Sequence, residues 1–155
     1  LALLINRLCQ GDDLESALDV VLERIERDQP GGGICSAALR QALSLANSEL
    51  PSHRVVGRIG EGWVAEEALA IGVCAALVAD DFRDGILLSV NHSGDSDSTG
   101  SIAGQIMGAI AGTEAIPAEW LESLGLRNVV ERVADDLYAA YHEERELPPD
   151  DYPPW

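Results

Sequence analysis

A short polar run, residues 94–99 (GDSDST), brings two carboxylates and three hydroxyls close together in the chain. Clustered hard oxygen donors of this kind match the ligand preferences of Mg²⁺, Mn²⁺ and Ca²⁺, whereas zinc and haem iron favour other side chains. An EF-hand loop does not fit. Such a loop needs a further oxygen donor, a Gly and a terminal Glu, and here the chain turns into the apolar residues that begin at Ile102.

The same run also fits a purely structural role. An Asp or Ser that directly precedes an apolar helix commonly accepts hydrogen bonds from the free N–H groups of the first turn. Asp95, Asp97 and Ser98 stand before the helical pattern that includes Ile102 and Ile106. From the residues alone, helix capping and metal binding both remain open.

The elements that would position this run are predicted to be helices, because apolar residues recur every three or four positions and no alternating strand pattern extends beyond a few residues. Aromatic residues make up only 5% of the chain, which suits closely packed helices. We therefore predict an all-α protein. The predicted helices are Leu1–Leu8, Leu14–Asp28, one through Leu39 to about Leu50, Trp63–Val78, Asp81 to about Asn91, Thr99–Ala111, one beginning at Pro117 and one from about Leu126 to Tyr141.

Two packing expectations follow from the apolar and small residues. The helix Trp63–Val78 is apolar almost all round, which is typical of the centre of a bundle. It would expose apolar surface if helices from an upstream segment were missing. Gly104, Gly108 and Gly112 recur at four-residue intervals, and this spacing predicts close approach of another backbone. Pro30 and Gly31–Gly33 predict a flexible break between two helices.

Charge and cysteine content restrict the partners and the compartment. The formal net charge is −17 and the sequence pI is near 4.2, so the surface should repel nucleic acid and anionic membranes. Cys9, Cys35 and Cys74 are widely spaced and odd in number, which indicates reduced thiols packed as small apolar groups. There is no basic targeting segment or long apolar run. We expect a cytoplasmic location.

Three separate motifs together resemble a known family. Residues 60–69 (GEGWVAEEAL), 90–104 (VNHSGDSDSTGSIAG) and 116–120 (IPAEW) are similar, in order and spacing, to the C-terminal motifs of the ADP-ribosylglycohydrolases. That family includes the dinitrogenase reductase-activating glycohydrolases. The resemblance runs from about Leu1 to Tyr141. It implies that residues 1–146 are the C-terminal part of a single compact multi-helix domain, followed by a Pro-rich acidic tail at 147–155.

The resemblance implies a metal-dependent hydrolase that removes ADP-ribose from a modified protein or small acceptor. Asp95, Asp97 and Ser98 would be ligands of a pair of Mg²⁺ or Mn²⁺ ions, which would orient a water for attack at the anomeric carbon. Ser93-Gly94 replaces the Gly-Gly of many members. The family's Thr-Asp-Asp run and its catalytic acidic residue belong to an N-terminal half, in cis or as a second chain, and have no match here. This chain would supply only half of the site.

Several other residues admit two interpretations. Gly62 and Trp63 are expected to line the substrate site, although Trp63 also fits a packing role at the start of its helix. Glu66 and Glu67 suit the positive end of a helix dipole or a place near the metals. His92 either supports a metal ligand or packs. Asp12 and Asp13 are expected to cap a helix. The alternative function is a non-catalytic or immunity-type binding relative that blocks an ADP-ribosylating partner.

Overall fold

A computed structural model describes residues 1–28, 33–147 and 151–152. These residues form helices and connecting turns without any β-strand, which confirms the prediction of an all-α protein. Short 3-10 turns cover Val56–Arg58 and Thr113–Ala115. The α-helices are α1 (Ala2–Cys9), α2 (Leu14–Asp28), α3 (Gly33–Ala46), α4 (Ser52–Val55), α5 (Ala65–Val78), α6 (Phe82–Val90), α7 (Ser96–Ala111), α8 (Ala118–Ser123) and α9 (Arg127–His142).

The chain divides into two compact units, Leu1–Pro117 and Ala118–Trp155. In the first unit, α3, α6 and α7 pack against α5, α1 packs against α7 and α2, and α2 packs against α3. The helix pair α6 and α7 also packs together, which places the turn between them beside α5. The expectation that residues 1–146 belong to a single domain stays a prediction.

The core of the first unit is centred on α5. Its residues 70–75 (AIGVCA) are buried on every side of the helix, as the apolar pattern predicted. Neighbouring helices of this same chain cover the middle of α5, whereas Trp63, Val64 and its first residue, Ala65, are exposed. Apolar side chains elsewhere in the unit, such as Leu3 and Ile34, are also exposed, and the expectation that upstream helices cover apolar surface of this chain stays a prediction. Burial also raises the pKa of the Cys74 thiol to about 11, because the thiolate would be desolvated.

Local capping explains where the helices begin and end. Asp13 accepts hydrogen bonds from the backbone N–H of Ser16 at 2.9 Å and from its hydroxyl at 2.8 Å, which confirms the predicted cap for Asp13. Asp12, which was also expected to cap α2, instead accepts from Arg7 Nε at 2.6 Å. Asp81 caps α6 by accepting from the N–H of Asp84 at 2.8 Å. The helix expected to continue to Leu50 ends at Ala46 instead. The side chain of Asn47 there bonds back to a carbonyl of the last turn and so competes with helix continuation.

The prediction of close packing along Gly104, Gly108 and Gly112 is wrong. A Cβ added at Gly108 or Gly112 would meet no atom within 4 Å, and one at Gly104 would make only ordinary contact with Ile86. Close approach occurs at other glycines, Gly72 on α5, Gly85 on α6 and Gly100 on α7. An added Cβ at Gly72 on α5 would lie 2.5 Å from Cγ2 of Ile102 on α7. The spacing of small residues in one helix therefore did not identify the helix face that makes the close contact.

This difference between glycines can be tested by substitution. Gly72→Ala should destabilise the protein by about 1–3 kcal/mol, because the new methyl group overlaps Ile102 and presses on the backbone N of Ala103. Gly108→Ala, its matched control in α7, should stabilise the protein by up to about 1 kcal/mol through helix propensity. Urea unfolding, monitored by circular dichroism, measures the stability change in each variant. Equal effects of the two substitutions would contradict this packing.

The second unit contains α8 and α9. Within it, the carboxylate of Asp136 accepts hydrogen bonds from Arg145 at 2.5 Å and from the Tyr152 hydroxyl at 3.0 Å. Residues 148–150 and 153–155 of the predicted tail, and residues 30–32 of the predicted break, lie outside the described residues. Gly33, which was also predicted to belong to the break, is instead the first residue of α3.

Two further sequence expectations concern the thiols and the membrane. The three cysteines are free, but Cys9 is exposed rather than packed as predicted, Cys35 is half-buried, and only Cys74 is fully buried. None of the helices in the described residues is both long and apolar enough to cross a lipid bilayer.

Candidate metal centre

The candidate site is the turn between α6 and α7 together with the first turn of α7. Helix α7 begins at Ser96, three residues earlier than predicted, because Asp95 rather than a later residue is its N-cap. Asp95, Asp97 and Ser98 therefore lie at or within the first turn of one helix. Asp95 and Ser98 are half-buried and Asp97 is exposed. The structure thus places the three predicted metal ligands within four consecutive positions at the start of α7.

The cap made by Asp95 is long. Its Oδ1 accepts from the N–H of Ser98 at 3.4 Å, compared with 2.9 Å for the equivalent bond made by Asp13 at α2. Hydrogen bonds of this type centre near 2.9–3.0 Å, so the Asp95 cap is a weak one. A carboxylate that makes only a weak hydrogen bond to its helix retains lone pairs that can bind a cation.

The two carboxyl groups of the turn influence one another. A hydrogen bond from the Asp97 carboxyl, followed by those from the Ser98 side chain and backbone, lowers the pKa of Asp95 below its ordinary value. Two neighbouring carboxylates repel when both are charged, and a divalent cation relieves that repulsion. The pair has the chemistry of a hard-cation ligand set.

A buried hydroxyl anchors the turn to the rest of the unit. The side chain of Thr99 is fully buried, and its Oγ1 donates to the carbonyl of Ser89 at 2.7 Å across the two helices. His92 Nε2 lies 2.9 Å from the same Oγ1, while the N–H of Gly94 donates to His92 Nδ1 at 3.1 Å. Because Nδ1 accepts, the neutral ring carries its proton on Nε2 and donates it to Thr99. His92 thus contacts the backbone of the turn rather than a predicted ligand.

The loop before α5 forms the other wall of the turn. The carbonyl of Glu61 accepts from the N–H of Asp95 at 2.8 Å. Gly94 touches the Glu61 backbone so closely that any Cβ at this position would overlap the Glu61 carbonyl. The glycine is required there for close backbone approach, which sequence reasoning did not predict. Its signal in the sequence is the glycine directly before the first Asp of the run.

Gly62 and Trp63 occupy different environments near the turn. Gly62 is buried and has a φ of +77°, and an added Cβ would lie 2.8 Å from Cγ2 of Thr99. Trp63 is 67% exposed, and its indole Nε1 donates to the carboxylate of Glu61 at 3.1 Å. Trp63 is therefore not a core residue, whereas a packing role at the rim stays a prediction. Its expected place in a substrate site remains a prediction, as does that of Gly62.

The three candidate ligands are of the right chemical type for Mg²⁺ or Mn²⁺, but they are too few to complete the coordination of an ion. Asp95, Asp97 and Ser98 supply oxygen atoms only, as these cations prefer, yet Mg²⁺ requires near-octahedral coordination by six ligands. Among the described residues, no group of three or more His, Cys, Asp or Glu side chains is placed to hold a metal ion. Asp12 and Asp13 do not add to the site, since Asp12 pairs with Arg7 and Asp13 caps α2. The residues fit part of a metal centre.

A groove of about 450 Å³ opens beside Ser98. Its other lining residues include Cys35, Leu69 and Ile102, so its walls are mainly apolar, and Glu66 contributes a carboxylate. Glu66 therefore lies on the side of the candidate centre, whereas Glu67 faces the loop that precedes α5. The sequence could not separate the roles of these two adjacent acids.

The sequence of the chain is similar to those of several known proteins. The family model described as ADP-ribosylglycohydrolase matches residues 1–147. The ADP-ribosyl-[dinitrogen reductase] glycohydrolase of Rhodospirillum rubrum is 38% identical over 64 residues, which are 40% of this chain and 22% of that protein. The ADP-ribosylarginine hydrolase Tri1 of Serratia proteamaculans is 35% identical over 78 residues, 50% of this chain and 21% of that protein.

An uncharacterised protein of Archaeoglobus fulgidus is 28% identical over 124 residues, which cover 80% of this chain and 38% of that protein. No solved structure matches the chain significantly. The chain thus spans between 21% and 38% of the length of these three relatives.

Proposed function

Because this chain belongs to the ADP-ribosylglycohydrolase family, we propose that it supplies the C-terminal half of the active site of a hydrolase that releases ADP-ribose from a modified protein or small acceptor. The observation that carries the proposal is the joint position of Asp95, Asp97 and Ser98 on the first turn of α7. An arginine-linked substrate is proposed because two relatives are named ADP-ribosylarginine hydrolase.

In the proposed reaction, the oxygen of water bonds to the anomeric carbon of the ribose, the glycosidic bond breaks, and the acceptor leaves with a proton. Asp95, Asp97 and Ser98 would hold Mg²⁺ or Mn²⁺, two ions in the complete site. Such ions supply orientation of the ribose hydroxyls and of the attacking water. The chain's own carboxylates contribute negative charge beside the oxocarbenium-like transition state and so stabilise it.

Other parts of the site are proposed to lie outside this chain. The remaining metal ligands and the acidic catalytic residue are proposed to come from an N-terminal half, because the described residues offer too few ligands for two ions. Gly62 and Trp63 are proposed to line the substrate site from the loop beside Asp95. The three free thiols support a cytoplasmic location.

The proposal is tested with the complete natural protein and an ADP-ribosylarginine peptide. We expect ADP-ribose release in the presence of Mg²⁺, loss of release after chelation, and recovery when Mg²⁺ or Mn²⁺ is returned. Chromatography with mass detection of free ADP-ribose measures the reaction. Release that is unaffected by chelation would contradict the metal dependence. Binding of the modified peptide without any release would favour the non-catalytic binding relative instead.

A further inference from the structure

Glu67 is an acid in the first turn of α5 that has no part in the proposed reaction. A Glu at this third helical position often bonds back to the N–H of the N-cap residue. Here the carboxylate reaches further. Its Oε2 accepts from the N–H of Glu61 at 3.3 Å and from the N–H of Gly62 at 3.2 Å.

The loop is wrapped closely around this carboxylate. A Cβ added at Gly60 would lie 2.5 Å from Cδ of Glu67 and 2.6 Å from its Oε2. With glycine at this position, the carboxyl group can lie directly against the backbone of the loop, and a larger residue would displace it.

A single peptide unit connects Glu67 to the candidate metal centre. The carbonyl of Glu61 and the N–H of Gly62 belong to the same planar peptide. Its N–H donates to Glu67, and its carbonyl accepts from the N–H of Asp95 at 2.8 Å. Because the peptide is rigid, fixing one end fixes the direction of the other. A donor that is bonded to a carboxylate also makes the opposite carbonyl a stronger acceptor.

We infer that Glu67 is a positioning residue for the metal centre, which holds the backbone of Asp95 in place through the Glu61–Gly62 peptide. The inference rests on the proposed function, because it assigns Glu67 a role toward the cation that Asp95 would bind. Removal of a group that orients a metal ligand commonly weakens metal binding by roughly 10- to 100-fold.

Two conservative substitutions separate the effect of the length of the Glu67 side chain from the effect of its charge. Glu67→Asp keeps a negative charge at the positive end of α5 but shortens the side chain by one methylene, so it cannot reach the loop. Glu67→Gln removes the charge but keeps the reach. Since both loop N–H groups bond to the same oxygen, the carbonyl oxygen of a glutamine can accept both. A positioning role predicts that the Asp variant fails and the Gln variant is close to wild type.

The experiment uses the complete natural protein, with Mn²⁺ alone as the probe. We expect Glu67→Asp to weaken Mn²⁺ binding by roughly 10- to 100-fold and to accelerate hydrogen exchange of the Asp95 amide by about five- to tenfold, the effect of one net hydrogen bond. In Glu67→Gln, both the Mn²⁺ affinity and the exchange rate of the Asp95 amide should stay close to their wild-type values. Glu15→Asp is the matched control, because Glu15 occupies the first turn of α2 and is exposed.

The outcomes distinguish this inference from the proposal on which it rests. A purely structural role of Glu67 in α5 predicts the reverse order, with the Asp variant unaffected and the Gln variant impaired, and that order would overturn the inference. Mn²⁺ binding lost in Asp95→Asn but intact in Glu67→Asp would overturn the positioning role alone. Mn²⁺ binding unchanged in Asp95→Asn would overturn the metal centre and the positioning role together.

Discussion

Replacement of Asp95 or Asp97 by alanine in the complete protein is expected to abolish Mg²⁺-dependent release of ADP-ribose. Both carboxylates lie on the first turn of α7, and the hydrogen bond from Asp97 keeps the pKa of Asp95 low, so at least one ligand is ionised at neutral pH. A divalent ion that loses one of its few protein ligands is held poorly. Release should fall to the level seen after chelation, while the helical circular dichroism spectrum remains unchanged.

Two controls separate metal binding from helix capping. Asp95→Asn should lose activity like Asp95→Ala, although asparagine is as good an N-cap as aspartate. Asp13→Ala removes a stronger cap at another helix, where it should cost about 1 kcal/mol of stability and leave the activity intact. Unchanged turnover in both the Asp95→Ala and Asp97→Ala variants would show that these carboxylates only cap α7.

The second large effect is expected from the isolated chain, residues 1–155, which should not hydrolyse ADP-ribosyl bonds by itself. Two ions need more oxygen donors than Asp95, Asp97 and Ser98 provide, and the described residues contain no further cluster of ligands.

The test measures ADP-ribose release from a modified peptide with Mg²⁺, first with the isolated chain and then after addition of the N-terminal half of a family member that carries Thr-Asp-Asp. Activity should appear only in the mixture, and Asp97→Ala in this chain should remove it. Robust turnover by the isolated chain would defeat the half-site argument. Glu66, which lines the groove beside Ser98, would then become a candidate for the missing ligand.

The sequence by itself determined the features that depend on neighbours three or four residues away. The apolar spacing predicted α2 and α6 nearly to the residue, and Asp13 caps α2 as expected. The all-round apolar pattern placed α5 at the centre of the unit. The clustering of Asp95, Asp97 and Ser98 on one turn was also predictable, because residues within four positions of each other cannot separate when a helix begins there.

The tertiary structure alone decided which helix faces and backbone groups meet. Gly104, Gly108 and Gly112 looked like a packing stripe, yet the close contact is made at Gly72, because a glycine stripe does not show which partner approaches it. Nor does the chain reveal that Glu67 rather than Glu66 bonds to the 60–62 loop, or that the peptide of Glu61 holds Asp95. These contacts join residues up to 34 positions apart, and their formation depends on the packing of whole helices rather than on any local preference.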